Sequence, residues 1–174
     1  MMRDGAVGVV IGTTEGPSEV LRIVVEDPEV RSVVCLGMST EALAISPNYD
    51  AFVRRPTGVV ERELGHASYR ADVSARIDNG NSWQLGLYFA HRLMAEGRLA
   101  SPKDKPEQWI WVTGTLDTDL MIGPVTDVER KIDRSREWFA KRSAEARSVA
   151  IIVPEQSAGA LSDCPTDVTL LANS

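Results

Sequence analysis

Residues 69 to 96 constrain the fold more than any other stretch of this 174-residue chain. Tyr69, Ala71, Val73, Ala75 and Ile77 alternate with polar or charged residues. Side chains on an extended strand point to opposite faces with a period of two. The pattern therefore predicts a half-buried strand. Asn79-Gly80-Asn81 comes next as a turn signal. A helix is expected from about 82 to 96, with Ser82 as its first residue. Trp83, Leu85, Leu87, Phe89, Leu93 and Met94 cover much of its circumference, so it is expected to be largely buried.

The remaining segments fit around this unit. Ala6 to Gly12 is continuous and apolar and reads as a strand, as do Val20 to Val25 and Ser32 to Leu36. The intervening GTTEGPSE, residues 12 to 19, reads as a loop with Ser18 capping the next element. Ser39 to Ala44 reads as the opening of a short helix. Residues 46 to 66 mix Pro47, Asn48, Pro56 and Gly58 with charges and read as loop or a ragged hairpin. Residues 98 to 107 form a polar, proline-bearing loop. Trp109 to Thr113 is a strand ending at Gly114, and Leu120 to Ile122 a shorter one. A helix is expected from about 126 to 146, a strand over Val149 to Val153, a helical turn or two over 155 to 162, and a last strand over Val168 to Leu171. The sum is one layered α+β domain spanning 1–174, with a β-rich N-terminal part to about residue 66.

Composition narrows the functional classes. A net charge of −6 leaves no basic surplus to neutralise phosphates, which argues against a general nucleic-acid binder. No stretch approaches the roughly eighteen apolar residues of a membrane span. The N-terminal apolar run is short and glycine-broken, so no secretory leader is expected. Cys35 lies in the apolar VVCLG, Cys164 is distant, and neither has metal-ligand spacing. A cytoplasmic protein with no metal or cofactor is the expectation. A G-x-S-x-G elbow and a P-loop are both absent. Of the two histidines, His66 and His91, the latter lies nine residues into the Ser82 helix, about 13 Å along its axis. That separation disfavours a Ser-His pair.

The helix at 126 to 146 holds one charge out of place. At 100° per residue, Val128, Ile132, Ser135, Trp138 and Phe139 form the apolar stripe. Lys131 falls inside that stripe, whereas Glu129, Arg130, Asp133, Arg134, Arg136 and Glu137 fall outside. Such a lysine either snorkels its ammonium to the edge or is desolvated. Full burial can lower a lysine pKa by about 3–5 units. A neutral amine is a competent general base. Ser82 has the same two faces: a helix cap, for which serine is favoured, or a nucleophile.

Taken together, the two segments resemble a family. NGNSWQLGL is similar to the nucleophile turn of the Lon-type serine–lysine peptidases, D-G-P-S-A-G. WVTGTLDTDLMIGPVTDVERKI is similar to their block of apolar-Thr-Gly, a glycine-bearing excursion, a Pro/Gly-apolar step and apolar-x-x-Lys. SVAIIVPEQ resembles their next strand, which ends in proline, and VTLLA their final strand. The resemblance covers roughly residues 68 to 171. It implies the Lon protease-domain fold, related to ribosomal protein S5 domain 2, with 68–171 as the catalytic core. It also implies Ser82 as nucleophile, Lys131 as base and Thr113 as the residue orienting the lysine. Backbone N–H groups around Gly80, Asn81 and Ser82 would hold the oxyanion. Asn79 and Asn81 stand where the family has aspartate and proline. Trp83-Gln84 replaces its small pair, and Thr115 its glutamate after Thr-Gly. Asn79 and Trp83 are thereby candidate substrate contacts, with packing in the core the favoured alternative for Trp83, as for most helix tryptophans.

The resemblance implies an endopeptidase acting on a protein or peptide. The family couples this domain to an ATPase, which the chain lacks. It would then act without ATP on exposed segments, or with an ATPase in cis or in trans, and a homo-oligomeric ring is a further possibility. The other reading is a catalytically inactive module of the same fold that binds a protein partner.

Overall fold

The computed structural model describes residues 5–77 and 79–161. The expected strand at Val168–Leu171 and Cys164 lie outside the described residues. Among the described residues, eight strands form a six-stranded mixed sheet and a two-stranded hairpin. β1 (Val7–Thr13) and β2 (Gly16–Val25) form an antiparallel hairpin. β3 (Val33–Leu36) runs parallel to β4 (Tyr69–Val73), which pairs antiparallel with β2. β5 (Gln108–Val112) adds parallel to β1, and β8 (Ser148–Ile152) parallel to β5. The order is therefore β3-β4-β2-β1-β5-β8. β6 (Thr115–Leu116) and β7 (Ile122–Gly123) make the separate hairpin. The expected α+β class holds at this level.

Period two along β1 separates two cores. Val7, Val9 and Ile11 face a layer formed by α1 (Ser46–Val53), α2 (Val59–Leu64) and α3 (Gln84–Ala95). Val10 faces the other way, toward α4 (Val128–Arg134) and α5 (Arg136–Glu145), with Trp111, Phe139 and Ile151. Each such side chain, fully buried, contributes about 1.5–3 kcal/mol. Gly8 and Gly12 lie on the second face, where tryptophans occupy the space a side chain would take. A Cβ at Gly8 would fall 2.4 Å from the Trp109 ring, and one at Gly12 2.1 Å from Trp111. On the same face α5 is tied to β2: the Trp138 indole donates to Glu19 at 2.8 Å, and Arg142 pairs with that carboxylate while lying 4.4 Å from the Trp109 ring centroid.

Several local expectations are corrected. Residues 46 to 66 are two helices rather than loop. Pro47 sits in the first turn of α1, where its missing N–H costs nothing, and Gly58 and Gly65 flank α2, Gly65 with φ 80°. Their punctuation marks helix ends, not a coil. Ser39–Ala44 is not helical: the chain reverses at Gly37 and Met38, both at positive φ, and Ala42 bridges back to Cys35. GPSE belongs to β2, and the Ser18 hydroxyl caps no helix but donates to the Ala75 carbonyl at 2.7 Å. The strand expected to reach Ile77 stops at Val73, because the hydroxyls of Ser74 and Ser18 take over its ladder, accepting from the N–H groups of Glu19 and Ala75. The helix expected over 126 to 146 divides at Ser135, whose hydroxyl donates to the Lys131 carbonyl at 2.9 Å and accepts from the Trp111 indole at 3.0 Å. Residues Glu155–Leu161 form a 3-10 helix, as the helical turns expected there.

Candidate active site

The turn before α3 is built from one glycine and one tryptophan. Gly80 has φ 71°, a conformation that β-carbon-bearing residues seldom adopt. Trp83 is buried in the first core, edge-on to Tyr49 and Phe52. Its indole N–H donates to the Gly80 carbonyl at 2.8 Å, clamping the turn from beneath. The helix begins at Gln84, with Trp83 in the capping position and no side chain making a cap bond. Ser82 is therefore neither the first helical residue nor the cap. Its side chain is half-buried.

Backbone hydrogen bonds tie this turn to the end of β5. The Gly114 N–H donates to the Ser82 carbonyl at 2.9 Å, and the Leu85 N–H to the Gly114 carbonyl at 3.0 Å. The Gln84 side-chain carbonyl accepts from the Leu116 N–H at 3.0 Å. The approach is close because residue 114 is glycine: a Cβ there would lie 2.7 Å from Leu85 Cδ2. Thr113, one residue earlier, is fully buried, and its N–H donates to the Ile152 carbonyl.

Lys131 projects from α4 toward this junction. It is 5 % exposed, and its Nζ donates to Thr113 Oγ1 at 3.2 Å. Burial lowers its pKa, because the charged form loses hydration; the negative charge of Asp127 opposes that in part. The snorkelling alternative for this lysine does not hold. Asp127 precedes α4 at φ 59°, and its carbonyl accepts the Lys131 N–H at 2.9 Å. A polar groove of about 480 Å³ is lined by Ser82, Lys131, Asn79, Gly80 and Asn81. Among the described residues, the Ser82 hydroxyl makes no hydrogen bond to Lys131, and the N–H groups of Asn81 and Ser82 have no acceptor.

No family model and no curated protein matches this chain. The chemistry of the groove is what bears on function.

Ser82, Lys131, Gly80, Asn81 and Asn79 are brought together at that groove, with Thr113 beneath it holding the lysine. Trp83 is not in the lining; its ring is in the core, so it shapes the turn rather than offering a surface. No local pattern marks Gly114 and Gln84 as links across the site, since their roles exist only once two distant segments meet. Glu15 and Asp127 also line the groove. His91 does not. It is buried against Tyr49, with Nε2 2.8 Å from the phenol oxygen, and desolvation lowers its pKa to about 3. Cys35 is a buried free thiol whose pKa is raised by the same desolvation. Among the described residues, no cluster of His, Cys, Asp or Glu is placed to hold a metal ion, and no helix is long and apolar enough to cross a membrane.

Proposed function

We propose that this chain is a serine–lysine endopeptidase with a Lon-type domain. The single observation that carries the reading is a nearly buried lysine, hydrogen-bonded to a buried threonine, lining the same groove as a serine that caps no helix. A buried charge is costly unless it is paired, and Thr113 offers a dipole rather than a counter-charge. The arrangement favours the neutral amine, which is the form a general base needs.

The chemistry runs in two halves. Lys131 Nζ takes the proton of Ser82 Oγ as that oxygen attacks a peptide carbonyl. The oxyanion is met by the N–H groups of the Asn81-Ser82 turn, which have no acceptor among the described residues, near the start of α3. Lys131 then gives its proton to the departing amine, leaving an ester on Ser82. Water attacks that ester, Lys131 takes the water proton and returns it to Ser82, and the carboxylate leaves. Thr113 accepts from the amine throughout and fixes its direction. Catalytic hydrogen bonds often tighten only with substrate bound, so the Ser82–Lys131 contact belongs to the complex. The proposed substrate is a cytoplasmic protein segment already unfolded or exposed, because the chain has no P-loop of its own. An ATPase in cis or in trans would widen that range.

One observation favours a second reading, a non-catalytic protein-binding module: the serine and lysine are not hydrogen-bonded. Incubating wild type, Ser82→Ala and Lys131→Ala with a denatured protein separates the two. The peptidase reading expects cleavage by wild type alone and fails if wild type is inert or if Ser82→Ala cleaves equally well.

A further inference from the structure

Lys131, the base of the proposed reaction, is held at both ends of its side chain and on both sides of its backbone. Its N–H donates to the Asp127 carbonyl at 2.9 Å and its Nζ to Thr113 Oγ1 at 3.2 Å. Its own carbonyl accepts the Ser135 hydroxyl at 2.9 Å. In an unbroken helix that carbonyl would take the N–H of the residue four positions on. Here the Ser135 N–H donates to the Ile132 carbonyl at 2.9 Å instead, and the hydroxyl stands in for it on Lys131. α4 ends at this residue, with φ −100° and ψ 2°.

The hydroxyl is itself gripped from the sheet. It accepts the Trp111 indole N–H at 3.0 Å, and both side chains are wholly buried. The indole has little room to turn. Its ring fills the space beside Gly12, where a Cβ would lie 2.1 Å away, and its centroid is 5.7 Å from that of Phe139. Trp111 and Thr113 lie two positions apart on one extended run, since the Thr113 N–H carries the ladder past β5 to the Ile152 carbonyl. Period two puts them on one side of the sheet. A single strand thus holds the amine of Lys131 through Thr113 and its backbone through Trp111 and Ser135. α5 is tied down separately by Trp138 and Arg142 on Glu19, so a loosened joint at residue 135 shifts α4.

Resting on the peptidase reading, we propose that Ser135 is a positioning residue for the base: its hydroxyl, anchored by the Trp111 indole, sets the backbone from which Lys131 reaches Thr113 and Ser82. Neither Ser135 nor Trp111 lines the groove, so each acts through Lys131 and not on substrate. Their loss is therefore expected in kcat, where the direction of the amine counts, and not in KM. A displacement of about 1 Å near a reacting group can cost on the order of a hundred-fold in rate.

The test compares wild type with Ser135→Ala, Trp111→Phe and the double variant, each shown folded by circular dichroism. Ser135→Ala alone leaves the indole N–H buried and unbonded, whereas the double variant removes both partners and serves where the single one does not fold. Trp138→Phe is the control: it deletes an indole hydrogen bond to Glu19 on the same face of the sheet without touching Lys131. With a denatured protein as substrate, kcat is expected to fall about ten- to hundred-fold in Ser135→Ala, with KM changed by less than about two-fold. The double variant should lose no more than Ser135→Ala, because the indole acts through the hydroxyl. Trp138→Phe should keep the wild-type kcat. A second readout needs no cleavage. Carbon-13-labelled lysine is titrated by NMR, and the Lys131 signal is assigned by its loss in Lys131→Met. Its midpoint is expected below the ordinary lysine value in wild type and Trp138→Phe. It should move back toward that value by about one unit in Ser135→Ala and in the double variant, as the amine leaves its buried bond. Either readout unchanged in a folded variant lacking the hydroxyl overturns the inference, as does an equal loss in Trp138→Phe. A wild type that never cleaves overturns the peptidase reading instead, and the titration then decides the hold of Ser135 on Lys131 by itself.

Discussion

Lys131 Nζ donates to Thr113 Oγ1 at 3.2 Å, with the lysine 5 % exposed and the threonine wholly buried. The bond joins the fourth residue of α4 to the residue just beyond β5. It sets the direction of the amine within the groove and supplies a dipole where no counter-ion is bonded.

Removing that acceptor tests its role. Thr113→Val leaves a buried amine without its partner, which costs about 1–3 kcal/mol of stability. The hydroxyl bonds the charged amine more strongly than the neutral one, so its loss lowers the Lys131 pKa further. The acid limb of kcat/KM is expected to move to lower pH while its plateau drops at least ten-fold. Thr113→Ser should restore both. A variant with a normal pH profile would show that the threonine only packs.

Lysine burial should carry a stability cost of its own. The Lys131 pKa is lowered in the folded state, so the folded chain binds fewer protons than the unfolded one between the two pKa values. Stability attached to this group rises with pH through that window, up to the ordinary lysine value near 10.4, and the penalty is greatest at the acid end. Lys131→Met removes the penalty. It is expected to be inactive yet more stable at pH 7 by on the order of 1 kcal/mol. The gain, followed by urea unfolding, should shrink toward pH 10.

His91 behaves in a different pH range. Its folded pKa is about 3, against 6.5 in an unfolded chain, because burial beside Tyr49 disfavours the charged ring. The contribution is complete above pH 6.5 and is lost as pH falls toward 3, at about 1.4 kcal/mol per unit. Carboxylates titrate in that window too, so the difference between wild type and His91→Gln isolates the histidine. The variant's stability should fall less steeply between pH 6 and 4.

The clamp under the Ser82 turn gives a further test. Trp83→Phe keeps an aromatic ring in the first core but loses the indole N–H on the Gly80 carbonyl. A stability loss of roughly 1–2 kcal/mol is expected. If the turn presents Ser82 for chemistry, kcat should fall by more than KM rises, since the groove walls are untouched.

The strand at Tyr69, the buried α3 and the odd position of Lys131 were legible in the sequence because each is written in local periodicity. Lys131 stood out because six charged neighbours kept to the other side of its helix. The helices at 46–53 and 59–64 were not legible, since Pro47, Gly58 and Gly65 signal helix ends and loop equally well. The break at Ser135 was hidden for another reason: it depends on a tryptophan 24 positions earlier. Gly114 is the plainest case. Nothing around it in the chain distinguishes a turn glycine from one on which Leu85 presses.

That glycine has a mechanical effect. Through its N–H on Ser82 and its carbonyl under Leu85, it rivets the two arms of the groove to a common frame, one residue from the threonine that steers the amine. Any drift of one arm drags the other along. In the proposed peptidase, the passage from a resting to a working arrangement would then fall to torsions about side-chain bonds.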